Sequence, residues 1–252
     1  MILNARPDVS VVFFDLGYTL INFEGDFHQV LSDSYLALAE SLVRSGIQID
    51  PMVFSRKFEQ TISEYYRTRE IDLIERPVES YLTQTLCDFG YASLPDEIIQ
   101  KALTEMYQFS ESCWYLEPDA ITTLKTLKSN SYRLGLITNA ANAPDSNRLI
   151  DKFQLRHFFE VILISAEEKI RKPDTRIYSR ALQRMEISPN QAVMVGDTLT
   201  ADILGAQNSG MYGIWIKRRA DRPENQNLLT TIQPNAVIKT LAELPAVLQT
   251  LS

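Results

Sequence analysis

Val11-Val12-Phe13-Phe14-Asp15-Leu16-Gly17-Tyr18-Thr19-Leu20 is the stretch whose reading decides the fold. Four apolar residues without polar alternation run straight into a carboxylate. A run this short, apolar on both faces and rich in Val and Phe, predicts a strand buried in a sheet that is covered on both sides. Asp15 then stands at the strand's carboxyl end, the edge of an open α/β sheet where ligands bind. A lone carboxylate at that edge is placed for chemistry more readily than for packing.

Outward from this strand, 21–26 reads as a short polar passage around Gly25. The period then changes. Apolar residues recur at helical spacing over 27–44 (Val30, Leu31, Tyr35, Leu38, Leu42), with Ser45-Gly46 as a stop signal. Further amphipathic helices are predicted over 51–69, 78–89 and 96–112, so this whole region reads as helical and free of strands. From Pro118-Asp119 the pattern becomes a steady alternation. A helix ending at Ser129-Asn130 precedes a strand at 134–137, and strands at 161–165, 192–195, 213–216 and 236–238 follow. Helices at 146–153, 175–185, 200–209 and 241–251 alternate with them. Strands alternating with helices through short links imply a doubly wound parallel sheet of the Rossmann-like α/β class. The expected organisation is an α/β core built from residues 1–21 and 113–252, interrupted by a helical insertion at 22–112 that sits over the carboxyl edge of the sheet.

Composition agrees with a globular chain. Over 252 residues it is 45% hydrophobic and 23% charged, ordinary values for a soluble domain. The net charge of -7 argues against a broad nucleic-acid-binding face, which needs clustered Lys and Arg. The one basic cluster, Lys217-Arg218-Arg219 with Arg222, reads as a solvated loop. Cys87 and Cys113 lack zinc-like spacing and suggest reduced, partly buried thiols. No leader signal is read at 1–8 and no apolar run is long enough to span a bilayer, so the expected location is cytoplasmic, without membrane or nucleic-acid partners. The sequence leaves monomer and homodimer both open.

Three further strand ends echo the first. Thr138-Asn139 ends one strand, Lys172-Pro173-Asp174 precedes a helix, and Gly196-Asp197-Thr198-Leu199-Thr200-Ala201-Asp202 ends another. A hydroxyl, a cation and several carboxylates would thus converge on one edge. Each alone is a weak signal, and Asp202 alone is no more than an acidic residue in a first helical turn, where the helix dipole favours it. Their order and placement together are specific.

These four segments resemble the four motifs of the haloacid dehalogenase superfamily of hydrolases, and the helical insertion after the first motif resembles a cap of that family's first type. The resemblance implies that Asp15 is the nucleophile, that Thr138, Asn139 and Lys172 hold the phosphoryl group, and that Mg²⁺ is bound by Asp15, Asp197 and the Gly17 carbonyl, with Asp202 behind them. The chemistry suits these residue types. A carboxylate can attack phosphorus in line and form an aspartyl-phosphate that water hydrolyses. Mg²⁺ prefers oxygen ligands, and a hydroxyl with a lysine stabilises the redistributed charge. The implied substrate is a small phosphorylated metabolite.

One position departs from the pattern. Most phosphatases of the superfamily carry a second Asp two residues after the nucleophile, the proton donor to the leaving alcohol, and here that position is Gly17. Three readings follow: a phosphatase for substrates whose leaving group needs little protonation, a phosphatase in which Glu24, Asp26 or His28 substitutes, or a weak or inactive phosphate-binding or interaction protein on the same fold. A 2-haloacid dehalogenase fits less well, because that branch has an aromatic residue at the position of Gly17 and here Tyr18 comes one residue later. Tyr65, Tyr66, Arg67 and Arg69 are the candidates to line a polar substrate pocket, against the alternative of an aromatic stripe packed in a helical core.

Overall fold

The computed structural model describes residues 9–226 and 228–251; the N-terminal octet, read above for a leader signal, lies outside them. Its main sheet has six parallel strands. These are β1 (Val11–Phe14), β4 (Arg133–Thr138), β5 (Val161–Ile164), β6 (Ala192–Gly196), β7 (Tyr212–Ile216) and β8 (Ala236–Ile238). Their spatial order is β5-β4-β1-β6-β7-β8. The order reverses at β1, which pairs with β4 on one side and β6 on the other, and such a switch point opens a crevice at the carboxyl ends of the strands.

The apolar run of β1 is divided between two cores. Val12 and Phe14 join one cluster with Leu124, Leu136 and Ile150, while Val11 and Phe13 join another with Ile177, Tyr178 and Met194. Helices α5 (Ala120–Ser129), α6 (Ala143–Lys152) and α10 (Leu244–Leu251) cover the first face, and α8 (Thr175–Met185) and α9 (Gly205–Asn208) the second. All four β1 side chains are fully buried, which is why the sequence shows no alternation there. The step from β4 to the ring of Phe13 needs a glycine: a Cβ on Gly135 would stand 2.5 Å from that ring. The sequence-predicted helix at 200–209 is a six-residue π-helical stretch, Leu199–Leu204, continued by α9.

Helices α1 (Phe27–Arg44), α2 (Pro51–Asp72), α3 (Val78–Asp88) and α4 (Asp96–Glu111) pack on one another around a separate core that includes Leu38, Leu42, Phe54, Phe58, Leu82 and Leu103. Their starts are fixed locally. Asp26 accepts the backbone N–H groups of His28 and Gln29, and Asp50 accepts that of Val53 beside Pro51 in the first turn.

Three expectations are corrected. The passage read as polar contains β2 (Ile21–Phe23), paired antiparallel with β3 (Trp114–Leu116). Three-residue strands are too short to show a period, and this ribbon is held instead by aromatic contacts, Phe23 edge-on to Trp114 at 5.3 Å and Tyr18 edge-on to Trp114 at 5.7 Å. The basic cluster is not simply solvated: Arg218 binds Asp119 at 2.5 and 2.7 Å and Glu117 at 2.6 Å, and Arg219 binds Glu117 at 2.9 Å. Both cysteines are free, but Cys87 is exposed rather than partly buried. Among the described residues no helix is long and apolar enough to cross a membrane.

Candidate active site

Asp15 leaves β1 with its backbone N–H donating to the Val195 carbonyl at 2.9 Å. The carboxylate is thereby held at the switch point between β4 and β6. Lys172, only 2% exposed, reaches it from the loop before α8: its Nζ lies 2.6 Å from Asp15 Oδ1 and 2.6 Å from Asp202 Oδ1. Burial works against the ammonium, yet Asp15 and Asp202 outweigh it and hold the Lys172 pKa above its ordinary value.

Asp197 follows β6. Its carbonyl accepts from Trp215 Nε1 and from Asn225 Nδ2, each at 2.8 Å, and its Oδ2 accepts from Arg222 Nη1 at 3.0 Å. The buried Asn225 also accepts the Leu199 N–H at 2.7 Å, so the loop is fastened on both sides of Thr198. Asp202 Oδ2 accepts the Thr198 N–H at 2.9 Å. Ligand oxygens of Asp15, Asp197 and Asp202 all lie within 4.8 Å of one another. Burial pushes Asp15 up to about 6 against the pull of Lys172, and burial together with Asp15 and Asp202 pushes Asp197 up to about 8. Three buried carboxylates face two cations, Lys172 and Arg222. The excess is negative and its donors are all oxygen, the chemistry that suits a hard divalent cation.

Gly196 makes this cluster possible. A Cβ there would stand 2.2 Å from the Asp202 carboxyl group. In Gly196→Ala the carboxylate must move and Lys172 loses a partner, so the expected loss of stability is ~3 kcal/mol. Differential scanning calorimetry checks it, and an unchanged melting temperature would show that this close approach is dispensable.

Thr138, 5% exposed at the end of β4, lies in the wall of the same cavity. Asn139 also lines it, but its amide is engaged: Nδ2 donates to the Lys172 carbonyl at 2.9 Å and Oδ1 accepts the Lys172 N–H at 2.8 Å. That side chain joins the strand end carrying Thr138 to the loop carrying Lys172. Gly17 is at the cavity wall beside Trp114. Glu24, Asp26 and His28 are exposed and stand outside the cavity lining, with Asp26 spent on the cap of α1.

The cavity, about 630 Å³, extends from Asp15 to α2. Several of its residues carried no signal in the sequence. Arg222 was read as a loop cation, yet it reaches Asp197 and lies over the Tyr18 ring at 4.1 Å. Asp145, at the start of α6, lines the cavity and is paired with Arg148 at 3.2 Å; burial, with Glu111 nearby, raises its pKa to about 7. Of the four cap candidates, Arg69 lines the cavity, Tyr65 is buried against Glu75, Tyr66 is exposed and outside the cavity lining, and Arg67 is exposed and paired with Glu64.

A carboxylate at the carboxyl end of the central strand, a buried lysine against it and two further carboxylates thus meet at the switch point of the sheet. A model of the haloacid dehalogenase-like hydrolase family matches residues 49–216, about two thirds of the chain, and the chain belongs to that family. The matched stretch contains Thr138, Lys172, Asp197 and Asp202; Asp15 precedes it and is brought in by the fold. The chain is 28% identical over 218 residues to a glyceraldehyde 3-phosphate phosphatase of Pyrococcus furiosus, covering 83% of this chain and 81% of that one. A crystal structure of a haloacid dehalogenase-type phosphatase from Thermococcus onnurineus superposes with a TM-score of 0.63 at 25% identity, covering 95% of this chain and 98% of that one. A 2-haloacid dehalogenase from Pseudomonas syringae shares the fold, with a TM-score of 0.68 at 23% identity over 97% of this chain and all of that one.

Proposed function

We propose that this hydrolase of phosphoric monoesters is a Mg²⁺-dependent phosphatase of a small phosphorylated metabolite, with Asp15 as nucleophile. The observation that carries the reading is the convergence of Asp15, Asp197 and Asp202 within 4.8 Å, with Lys172 bonded to two of them. The phosphatase names of the relatives from Pyrococcus and Thermococcus agree with it.

The residues divide the work by position. Asp15 attacks phosphorus in line as the bond from phosphorus to the ester oxygen breaks, the leaving oxyanion takes its proton from solvent, and the aspartyl-phosphate is then hydrolysed by water to phosphate and free Asp15. Lys172, already charged and desolvated, balances the phosphoryl oxygens together with the Thr138 hydroxyl. Asp15, Asp197 and the Gly17 carbonyl would hold Mg²⁺, with Asp202 steering Lys172 and the Thr198 amide from behind. The ion supplies charge neutralisation between nucleophile and phosphate. Helices α1–α4, residues 22–112, act as a cap that closes the cavity from the α2 side.

Gly17 shapes the substrate range. Without an acid two residues after Asp15, leaving groups of low pKa are preferred. A panel of aryl, acyl, sugar 1-phosphate and alkyl phosphates with and without Mg²⁺ tests the proposal: release of phosphate from the activated esters, lost with EDTA, is expected. Absence of turnover across the panel would leave a phosphate-binding protein as the reading.

A further inference from the structure

The cavity has a second charged end. Arg171 is 6% exposed and lines the cavity one residue before Lys172. Its Nη2 lies 3.0 Å from Glu70 Oε1 and its Nε 3.9 Å from Glu75 Oε2, while Nη1 is buried without a hydrogen-bond partner among the described residues. Arg69, on α2, lines the same wall, stacked over the Tyr66 ring at 4.0 Å, with its Nε 3.5 Å from Glu70 Oε1. Two guanidiniums therefore share one carboxylate oxygen in the wall of the cavity that holds Asp15.

The two acids nearby are not equivalent. Glu75 is fully buried and committed, accepting from the hydroxyl of Tyr65, from Ser165 Oγ at 2.8 Å and from Arg69 Nη1 at 3.5 Å. Glu70 is 59% exposed and, among the described residues, is paired with the two arginines alone. Holding an exposed Glu side chain in one place costs rotamer entropy and returns little in solvent. Burying an arginine N–H without a partner is costly as well. Burial, with Arg69 close by, pushes the Arg171 guanidinium down from its ordinary range, so the pair gains from an anion held more firmly than the exposed Glu70.

We propose that Arg171 and Arg69 form a subsite for a second anionic group of the substrate, a carboxylate, in the place that Glu70 holds. The substrate class is a phosphate ester of a phenol or enol that also bears a carboxylate, so that the leaving group needs little protonation, with the phosphoryl group at Asp15 and Lys172 and the carboxylate at Arg171 and Arg69. A planar guanidinium fork matches a carboxylate bidentately, which a lysine does not. Glu70 competes for the same donors and sets the affinity. This assignment rests on the phosphatase reading above.

The test compares aryl phosphates that carry a carboxylate on a side chain of increasing length with aryl phosphates that carry a neutral hydroxyl at the matched position, and with the matched bisphosphates, which separate a carboxylate from a second phosphate. The best acid is expected to exceed its neutral partner by about tenfold or more in kcat/KM, the difference lying in KM. In Arg171→Gln and Arg69→Gln that ratio falls toward one. In Glu70→Gln it rises, an outcome that a merely damaged protein would not produce. An equal ratio in the wild type, a ratio unmoved by both Arg171→Gln and Glu70→Gln, or a preference for the bisphosphates overturns the proposal. Titration calorimetry of the same acids and their neutral partners against the Asp15→Asn protein reads the ratio as affinities. A chain that hydrolyses no ester would therefore sink the phosphatase reading while the subsite is judged by binding alone.

Discussion

Phosphate-ester turnover in the Asp15→Asn variant is expected to fall by at least about 10⁴-fold, with the fold intact. The amide keeps the shape of the carboxylate but cannot attack phosphorus. Lys172 is not stranded by the change, because its second bond, to Asp202 at 2.6 Å, remains. The three buried carboxylates also repel one another, since Asp15 and Asp202 both raise Asp197, and removing one charge relieves that repulsion. Steady-state phosphate release and a thermal melt, run on the same preparation, check the two halves. Residual activity within tenfold of wild type would remove Asp15 from the role of nucleophile.

The second large effect is a gain. In Gly17→Asp, hydrolysis of alkyl phosphates is expected to rise by ~10²–10⁴, while p-nitrophenyl phosphate changes little. The backbone at Gly17 is not left-handed, and a Cβ built there meets only the Trp114 ring, at 3.6 and 3.9 Å, which is ordinary contact. A side chain is thus admitted by the space and excluded only by the sequence. The wild type should accordingly show rates that fall steeply as leaving-group pKa rises, and the variant a flatter line. A flat line in the wild type would mean that another acid already serves. The structure places Glu24, Asp26 and His28 outside the cavity lining, whereas Asp145 lies in it with a pKa near 7.

What was legible in the sequence follows a physical division. Asp15, Thr138, Lys172, Asp197 and Asp202 could be found because each stands at or just past the end of an apolar run or before a capped helix, and parallel strands bring all such ends to one edge. The helices of 27–112 were legible for a local reason too, a sustained 3.6-residue period, with Ser45-Gly46 marking the end of the first. Arg222 was not, because its partner Asp197 lies 25 residues back and the loop between β7 and β8 has no periodicity to place it. Glu75 and Arg171 meet across an even longer separation, through the folding of α2 back on the core. The ribbon of β2 and β3 was missed since strands of three residues leave no pattern. Position along the chain announces strand ends; charge pairs that close a cavity are announced only by the fold.

That ribbon has a consequence for how such a protein can change. Phe23 and Trp114 are directly paired partners, so the chain departs for the helical bundle and comes back at two neighbouring points, roughly 5 Å apart as in any antiparallel pair. Ninety residues lie between them, yet their two ends arrive side by side, as at the neck of a bag. A different bundle, spliced at the same neck, would inherit the six-stranded sheet and its carboxylates unaltered, along with a new set of walls for the cavity. If residues 22–112 act as the proposed cap, recombination at this point would exchange selectivity and leave the reacting groups where they are.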